Sequence, residues 1–294
     1  MKQSKIKERF KVVDHSVSGE QFMLIYDEQH QMYHTQPRPD RDILPCYYES
    51  ADYISHTDSK RSLLEYIYQI VRGITLSRKQ KLLTRLHPQK GTVLDIGCGT
   101  GDFLKKLKEE GWGAIGVEPA AGARTIAQSK NIEVAGSIVN LSGQYNVITM
   151  WHVLEHVYDL QDQIDWLDNH LKDDGTLLIA VPNYRSKDAQ HYGCNWAAYD
   201  VPRHLYHFSQ ESIVSLFSEN FDVVKKIPMR FDAYYVSLLS EKYKTGHTNF
   251  LRAIWQGVRS NWSARHTSEY SSLVYVLKKR NTQFKANYST FYEP

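Results

Sequence analysis

The chain has few cysteines, no long apolar run and almost no net charge. Its three cysteines, Cys46, Cys98 and Cys194, stand far apart without a C-x-x-C pair, so neither a disulfide framework nor a cysteine zinc site is expected. No run of residues approaches the length of a membrane span. A formal net charge of +3 is too small to favour a polyanion. These absences predict a protein with neither a membrane nor a nucleic-acid partner.

The length of the chain limits the number of domains. At 294 residues, with 41% hydrophobic and 23% charged residues, it accommodates one large α/β domain with additions, or two modest domains. The first nine residues lack the apolar core of a signal peptide. We therefore expect a cytoplasmic globular protein whose oligomeric state the sequence leaves open.

A glycine-rich segment follows a short strand pattern at residues 92–96. Gly97, Gly99 and Gly101 alternate with other residues, and a helical pattern begins at Asp102. Glycine permits close backbone approach, and the helix N-terminus offers free amides to a ligand. A dinucleotide fingerprint would need glycine at position 102. The spacing instead resembles motif I of class I methyltransferases, which use S-adenosylmethionine (SAM).

From residue 92 onward, strand and helix patterns alternate, which is typical of a parallel, doubly wound sheet. Seven strands are predicted, at residues 93–96, 114–117, 132–134, 145–150, 176–181, 221–227 and 273–277. The resemblance to class I methyltransferases implies the same number. The predicted fold is therefore α/β, with a Rossmann-like seven-stranded sheet.

Three segments surround or interrupt this sheet. Residues 1–45 contain short strand patterns and predict a small β-hairpin unit, which we expect to be free of metal although Asp27 and His30 could form a ligand pair. Residues 46–90 predict a lid and a helix, and the SAM-binding domain follows at 91–294. An insertion at 231–270 is expected to form two helices, near 233–243 and 249–259. The lid segment, which includes Tyr48 and Tyr53, has two interpretations: it covers cofactor and substrate, or it packs on the surface.

Two acidic residues mark the expected cofactor site. Glu118 ends the strand after the glycine loop, where a carboxylate accepts hydrogen bonds from ribose hydroxyls and disfavours a 2′-phosphate. Asp95 lies inside an apolar strand and needs a partner there. We expect Asp95 to anchor the loop or to reach the methionyl ammonium group.

A histidine-rich segment follows the fourth strand of the predicted sheet, at the same edge as the glycine loop. It contains Trp151, His152, Glu155 and His156. We expect His152 to face the cofactor, and His156 to be a packed core residue. A metal site at His152, Glu155 and His156 lacks a fourth ligand at helical spacing, so no metal is predicted.

A fourth motif lies beyond strand five. The turn Val181-Pro182-Asn183 is followed by Trp196 and by D-V-P-R-H-L-Y-H-F-S at residues 200–209. With the glycine loop and H-V-L-E-H, this order of motifs resembles the family called methyltransferase domain 23. The resemblance covers roughly residues 90–230 and implies a SAM-dependent methyltransferase that acts mostly on small molecules.

The resemblance and the strand order together give a set of candidate site residues. We expect the cofactor to bind Asp95, Gly97, Cys98, Gly99, Gly101, Glu118, Trp151 and His152. The substrate candidates are Tyr48, Tyr53, Trp196 and Arg203. The candidate bases are His204, His152 and His207, because histidine titrates near neutral pH. His204 comes first, since Arg203 beside it is expected to orient an acidic substrate.

Two other classes of function remain open at this point. A nucleic-acid methyltransferase commonly carries N/D-P-P-Y after strand four, where this chain has W-H-V-L, and no basic stripe is present. A SAM-binding protein without catalysis would also keep the glycine loop.

Overall fold

The structure is a computed structural model that describes residues 8–48 and 63–280, with the backbone alone for 63–71. The strands in chain order are β1 (Arg9–Val13), β2 (Gln21–Asp27), β3 (Met32–Gln36), β4 (Thr92–Ile96), β5 (Gly113–Val117), β6 (Glu133–Ala135), β7 (Tyr145–Trp151), β8 (Leu171–Pro182), β9 (Tyr206–His207), β10 (Phe221–Pro228) and β11 (Ser272–Lys279). The α-helices are α1 (Leu63–Leu86), α2 (Asp102–Glu109), α3 (Ala121–Ser129), α4 (Leu160–His170), α5 (Lys187–Tyr192), α6 (Gln210–Leu216), α7 (Asp232–Thr245) and α8 (Phe250–Thr267).

The central sheet has seven strands in the order β10-β11-β8-β7-β4-β5-β6. Strands β4 to β8 are parallel, while β11 runs antiparallel to β8 and β10 antiparallel to β11. All seven predicted strands are present, and the predicted α/β fold class is confirmed. The largest difference in bounds is at β8, which begins at Leu171 rather than at residue 176.

Two apolar layers cover the faces of this sheet, because successive strand residues point to opposite sides. On one face, Leu83 of α1 packs in a cluster with α2 and with Val93 and Val147. On the other face, Ile164 of α4 packs in a cluster with Ile148. Strand order reverses at β4, whose neighbours are β7 and β5. A ligand crevice is expected at the carboxyl ends of strands at such a reversal.

The N-terminal strands form a sheet larger than the predicted hairpin. Strands β1, β2 and β3 are antiparallel, and β9 adds a fourth strand beside β3. Strand β9 comes from the D-x-P-R-H-L-x-H-F-S segment, so this motif joins the small sheet to the main domain.

The insertion after β10 forms two helices, as expected from the sequence. Helix α7 ends at Gly246, which has a φ of +76°, and Asn249 caps α8 by accepting from the Arg252 amide. Residues 49–62, which contain Tyr53 and most of the predicted lid, lie outside the described residues. Within the described ranges, no helix has the length and apolar character needed to cross a bilayer.

Candidate active site

The glycine loop connects β4 to α2 at the carboxyl edge of the sheet. Gly97, Gly99 and Gly101 all have positive φ, at +73°, +55° and +75°. A Cβ at Gly97 would lie 2.4 Å from Val153 Cγ2, and one at Gly101 would lie 2.9 Å from Ala127 Cβ. A Cβ at Gly99 would meet nothing within 4 Å. Two glycines are therefore required by packing, while a side chain at Gly99 would meet open space.

Glu118 and Asp95 lie on either side of this loop. The Glu118 carboxylate accepts from the amides of Gly99 and Ala120, each at 2.9 Å, so it is held at the crevice next to Gly99. Asp95 is buried and accepts a 2.5 Å hydrogen bond from Thr149 on β7. Burial raises the pKa of Asp95 to about 6, against the lowering effect of this hydrogen bond and of the Lys79 ammonium. Asp95 thus links the two strands that border the crevice.

Lys79 reaches the same region from α1. Its ammonium lies 4.2 Å from the centre of the Trp151 ring, and the edge of that ring contacts Phe103. Burial lowers the pKa of Lys79 to about 8, although Asp95 and Asp232 act in the opposite direction. Lys79 is not among the site residues predicted from the sequence. A lysine between Leu76 and Leu83 on the apolar face of a helix was the signal that could have found it.

The Cys98 thiol lies in the loop itself and is half-buried. A Cβ at Gly116 of β5 would lie 2.5 Å from Cys98 Sγ, so this glycine leaves room for the thiol. Burial, together with Asp95 and Glu118, raises the pKa of the thiol to about 12. Cys98 is therefore a neutral packing group that supports the loop.

His152 lies between two carboxylates. Its Nδ1 is 3.3 Å from Glu155 Oε1, and its Nε2 is 3.2 Å from Asp232 Oδ2 at the start of α7. Burial lowers the pKa of His152, but the two carboxylates outweigh it and raise the pKa to about 10. The imidazole is thus protonated near neutral pH and has no lone pair for a proton. This arrangement favours an electrostatic role over that of a base, and the sequence did not show Asp232 beside His152. The role of His152 as a base stays a prediction.

Glu155, His156 and His204 form a buried cluster beside His152. The two rings meet edge to face at 4.5 Å, and one ligand atom from each of the three residues lies within 4.8 Å of the others. His204 donates its Nδ1 hydrogen to the Ala198 carbonyl at 2.9 Å, and His156 Nδ1 lies 3.0 Å from the Arg203 carbonyl and from the Tyr48 hydroxyl. Burial and His204 lower the pKa of His156 to about 4. His156, expected to be a packed core residue, is hydrogen-bonded and lies in this cluster.

The cluster is also where a metal would bind, if the chain bound one. Two imidazoles and a carboxylate suit several divalent transition metals. The Glu155 carboxylate is buried without a hydrogen bond, although His152 lies close to it with the opposite charge. This imidazolium compensates the carboxylate without an ion, so the prediction of no metal is retained.

Three other predicted site residues have structural contacts instead. The Arg203 guanidinium is buried and donates to Asp14, to Asp200 and to the Tyr47 carbonyl. Trp196 is buried and donates its Nε1 hydrogen to Asp188.

His207 lies in β9, with its Nε2 3.0 Å from the Thr35 hydroxyl, and burial lowers its pKa well below the usual value. Arg203, Trp196 and His207 thus have partners at the junction between the small sheet and the main domain. Their predicted roles as substrate residues and as a base stay predictions.

A cavity of about 760 Å³ runs between α1 and the strands β10 and β11, and its lining includes Trp151 and Asp232. Its described lining contains seven cationic side chains and one carboxylate, together with apolar residues such as Leu82, Ile227 and Val274. This groove is lined by both basic and apolar side chains.

Comparison with known families settles the class of the site. Residues 66–226 match Methyltransf_23, a family described as a methyltransferase domain. The chain belongs to this methyltransferase family. The match spans more than half of the chain and confirms the predicted enzyme class and the predicted cofactor, SAM. Open space at Gly99, the Glu118 carboxylate and the free amides of α2 are the features that fit this cofactor.

Curated relatives and solved structures agree with the family. An uncharacterized methyltransferase of Alkaliphilus oremlandii is 28% identical over 108 residues, 34% of this chain and 50% of that protein. A ubiquinone biosynthesis O-methyltransferase of Rickettsia akari is 28% identical over 136 residues, 42% of this chain and 54% of that protein. The chain thus spans about half the length of these two relatives.

Two solved structures share the fold at low sequence identity. Magnesium protoporphyrin IX methyltransferase from Synechocystis PCC 6803, with bound SAH, has a TM-score of 0.55 and 14% identity over 82% of this chain and 100% of that one. The cyclopropane synthase MmaA2 from Mycobacterium tuberculosis has a TM-score of 0.51 and 15% identity, over 83% of this chain and 100% of that one.

Proposed function

We propose that the chain transfers a methyl group from SAM to a small-molecule acceptor that has an apolar body and acidic groups. The observation that carries this proposal is the groove between α1 and the β10–β11 edge, which leads to Trp151 and Asp232. Arg78, Lys81 and Arg85 line it from α1, and Lys278 lines it from β11. Cationic and apolar side chains in one groove favour an acceptor that is amphiphilic and negatively charged.

The relatives' names are compatible with such an acceptor. One acts in ubiquinone biosynthesis, and the neighbour in fold acts on magnesium protoporphyrin IX. These activities belong to those proteins, and the groove supplies the argument for this one.

The reaction requires the protein mainly to position the acceptor and to remove a proton from it. SAM supplies an activated methyl group on a sulfonium, so the chain needs no strong electrophile of its own. Holding the acceptor in line with that methyl group contributes several kcal/mol, up to about 7–11 in ideal cases. An oxygen or ammonium nucleophile must also lose a proton.

We propose that Nε2 of His204 accepts this proton. Its Nδ1 hydrogen is donated to the Ala198 carbonyl, which leaves Nε2 as the acceptor in the neutral ring. Nε2 lies 3.9 Å from Asp200 Oδ2, and one ligand atom each from Glu155 and His156 lies within 4.8 Å of a ring nitrogen of His204. His152, held as a cation between Glu155 and Asp232, fixes the position of the loop after β7 and has an electrostatic role.

A metabolite screen tests the acceptor class. Methyl transfer from labelled SAM is expected with amphiphilic carboxylic or phosphate acceptors, and not with their neutral esters. Arg78→Glu combined with Arg85→Glu should raise KM for the acceptor and leave SAM affinity unchanged. Lys105→Glu on the exposed face of α2 is the matched control. Equal activity on neutral esters would contradict the acidic acceptor.

The two alternatives make different predictions. A nucleic-acid methyltransferase would label RNA or DNA in the same screen. A non-catalytic SAM-binding protein would bind SAM but form no S-adenosylhomocysteine with any fraction of a cell extract.

A further inference from the structure

Helix α8 packs on the protein through its small and polar residues. Its buried positions are Ala253, Gln256, Gly257, Ser260 and Ala264. Ser260 donates to the buried Asp188 at 2.6 Å, and a Cβ at Gly257 would lie 2.5 Å from the Tyr234 ring of α7. The side of α8 that faces the protein is therefore fixed by close contacts that larger residues could not make.

The opposite side of α8 is apolar and faces solvent. Leu251, Ile254, Trp255, Val258 and Trp262 are between 42% and 83% exposed. At 3.6 residues per turn, these five positions share an arc of about 100°, on the side away from the buried residues. The usual amphipathic pattern is inverted, and a contiguous apolar stripe of this kind marks an interaction surface. We call these five residues the α8 stripe.

The charges of α8 identify the partner. The helix contains Arg252, Arg259 and Arg265 and no aspartate or glutamate. Tryptophan and leucine on one side, with arginines beside them, are the features of a helix that lies in the interface of a bilayer. Arginines also attract the headgroups of anionic lipids, at a range set by the ionic strength.

We propose that the α8 stripe docks the protein on the surface of an anionic lipid bilayer. The expectation of no membrane partner rested on the absence of a spanning run, but a helix lying on a surface needs none. The main competitor is a second copy of the chain. Pairing two stripes around a two-fold axis would bring arginines of both copies together, with no carboxylate on either helix to offset them.

The position of α8 connects this surface to the site. Helices α7 and α8 form one insertion, and Asp232 at its start contacts His152 in the crevice. The insertion that carries the α8 stripe therefore also contributes a residue to the crevice.

Flotation with vesicles tests the proposal on the full chain. Vesicles of phosphatidylcholine and phosphatidylglycerol in equal parts should bind the wild-type protein, and vesicles of phosphatidylcholine alone should bind it less. Leu251→Ser combined with Trp255→Ser should lower the partition coefficient at least about tenfold, because less apolar area enters the interface. Val139→Ser is the matched control, since Val139 is 82% exposed on a different segment. Circular dichroism verifies that both variants are folded.

A second measurement locates the contact. Brominated lipids quench tryptophan fluorescence only at close range, so wild-type fluorescence should fall on binding. The fall should be lost in the variant Trp255→Phe with Trp262→Phe, which keeps an apolar stripe and still binds. Equal partition of the wild type and the Leu251→Ser, Trp255→Ser variant would overturn the proposal. So would a wild-type dimer in light scattering that the same variant converts to a monomer, because the stripe would then be a protein interface.

Discussion

Replacing Gly99 by valine separates cofactor binding from folding. A Cβ at Gly99 meets no atom within 4 Å, and the residue has a φ of +55°. The valine side chain therefore enters the open space beside Gly99, where we place SAM. The added Cβ does not clash with the protein itself. We therefore expect the variant to lose affinity for SAM and to keep its fold.

The cost to folding is estimated from the backbone. A non-glycine residue in the left-handed region costs about 1–2 kcal/mol, a fraction of the roughly 5–15 kcal/mol that stabilises an ordinary domain. Gly143→Val is the matched control, because Gly143 has a φ of +93°, also meets nothing within 4 Å, and precedes β7 at the opposite edge of the sheet. Both variants should unfold at similar, slightly lower urea concentrations than the wild type.

Calorimetric titration with SAM gives the decisive comparison. We expect Gly99→Val to lose at least about a hundredfold in affinity, equal to about 2.8 kcal/mol, and Gly143→Val to bind normally. Gly97→Ala should behave differently from both, since its Cβ would lie 2.4 Å from Val153 Cγ2 and should destabilise the fold. Normal SAM affinity in Gly99→Val would refute the placement of the cofactor.

Four further predictions follow from the same site. Glu118→Ala should weaken SAM by about 1–3 kcal/mol in calorimetry, the cost of hydrogen bonds left unmade. His204→Ala should lower kcat by roughly 10²–10⁴-fold with SAM affinity nearly unchanged. His152→Ala should lower kcat and also weaken SAM binding. Asp95 has a folded pKa of about 6 against 3.8, so its ionisation costs stability as pH rises through that range. Asp95→Asn should therefore raise the free energy of unfolding at pH 8 by up to about 3 kcal/mol, with no gain at pH 4. EDTA should leave turnover intact, and elemental analysis should find no stoichiometric metal.

Each of these has an outcome that contradicts it. Unchanged SAM affinity in Glu118→Ala would show that Glu118 does not bind SAM. A near-normal kcat in His204→Ala would show that His204 is not the base. An Asp95→Asn gain that does not change with pH would mean that ionisation is not its cause. One bound metal per chain would place an ion at Glu155, His156 and His204, or at Asp27 and His30, and variants of the two sets would distinguish them.

The parts of the fold that could be predicted from sequence have local causes. Each core strand of the parallel sheet is apolar on both faces, so its pattern is visible in a short window. The alternating glycines are visible in the same way, because positive φ and close packing at Gly97 and Gly101 demand them. Ser209 caps α6 by accepting from the Ser212 amide. This cap also has a local cause, because a serine directly before a helical pattern is a start signal.

The contacts of several predicted site residues come from distant segments, so the sequence alone does not show them. Arg203 and His207 stand in a motif that suggests a substrate loop, yet their partners Asp14 and Thr35 come from the N-terminal strands. Asp232 lies in an insertion 80 residues beyond the histidine whose charge it fixes, at a separation that no local pattern reports. A two-residue strand such as β9 is likewise too short to show a periodicity.

Transfer of a methyl group from SAM, bound at the Gly99 crevice, to an acidic and partly apolar acceptor can be measured directly. The full chain is incubated with SAM that carries a deuterated methyl group and with a fractionated cell extract, and every fraction is examined by mass spectrometry. We expect the wild type and Gly143→Val, but not Gly99→Val, to form a deuteromethylated acidic product and an equal amount of S-adenosylhomocysteine. If the wild type binds SAM but forms S-adenosylhomocysteine in none of the fractions, the chain is not the methyltransferase proposed above.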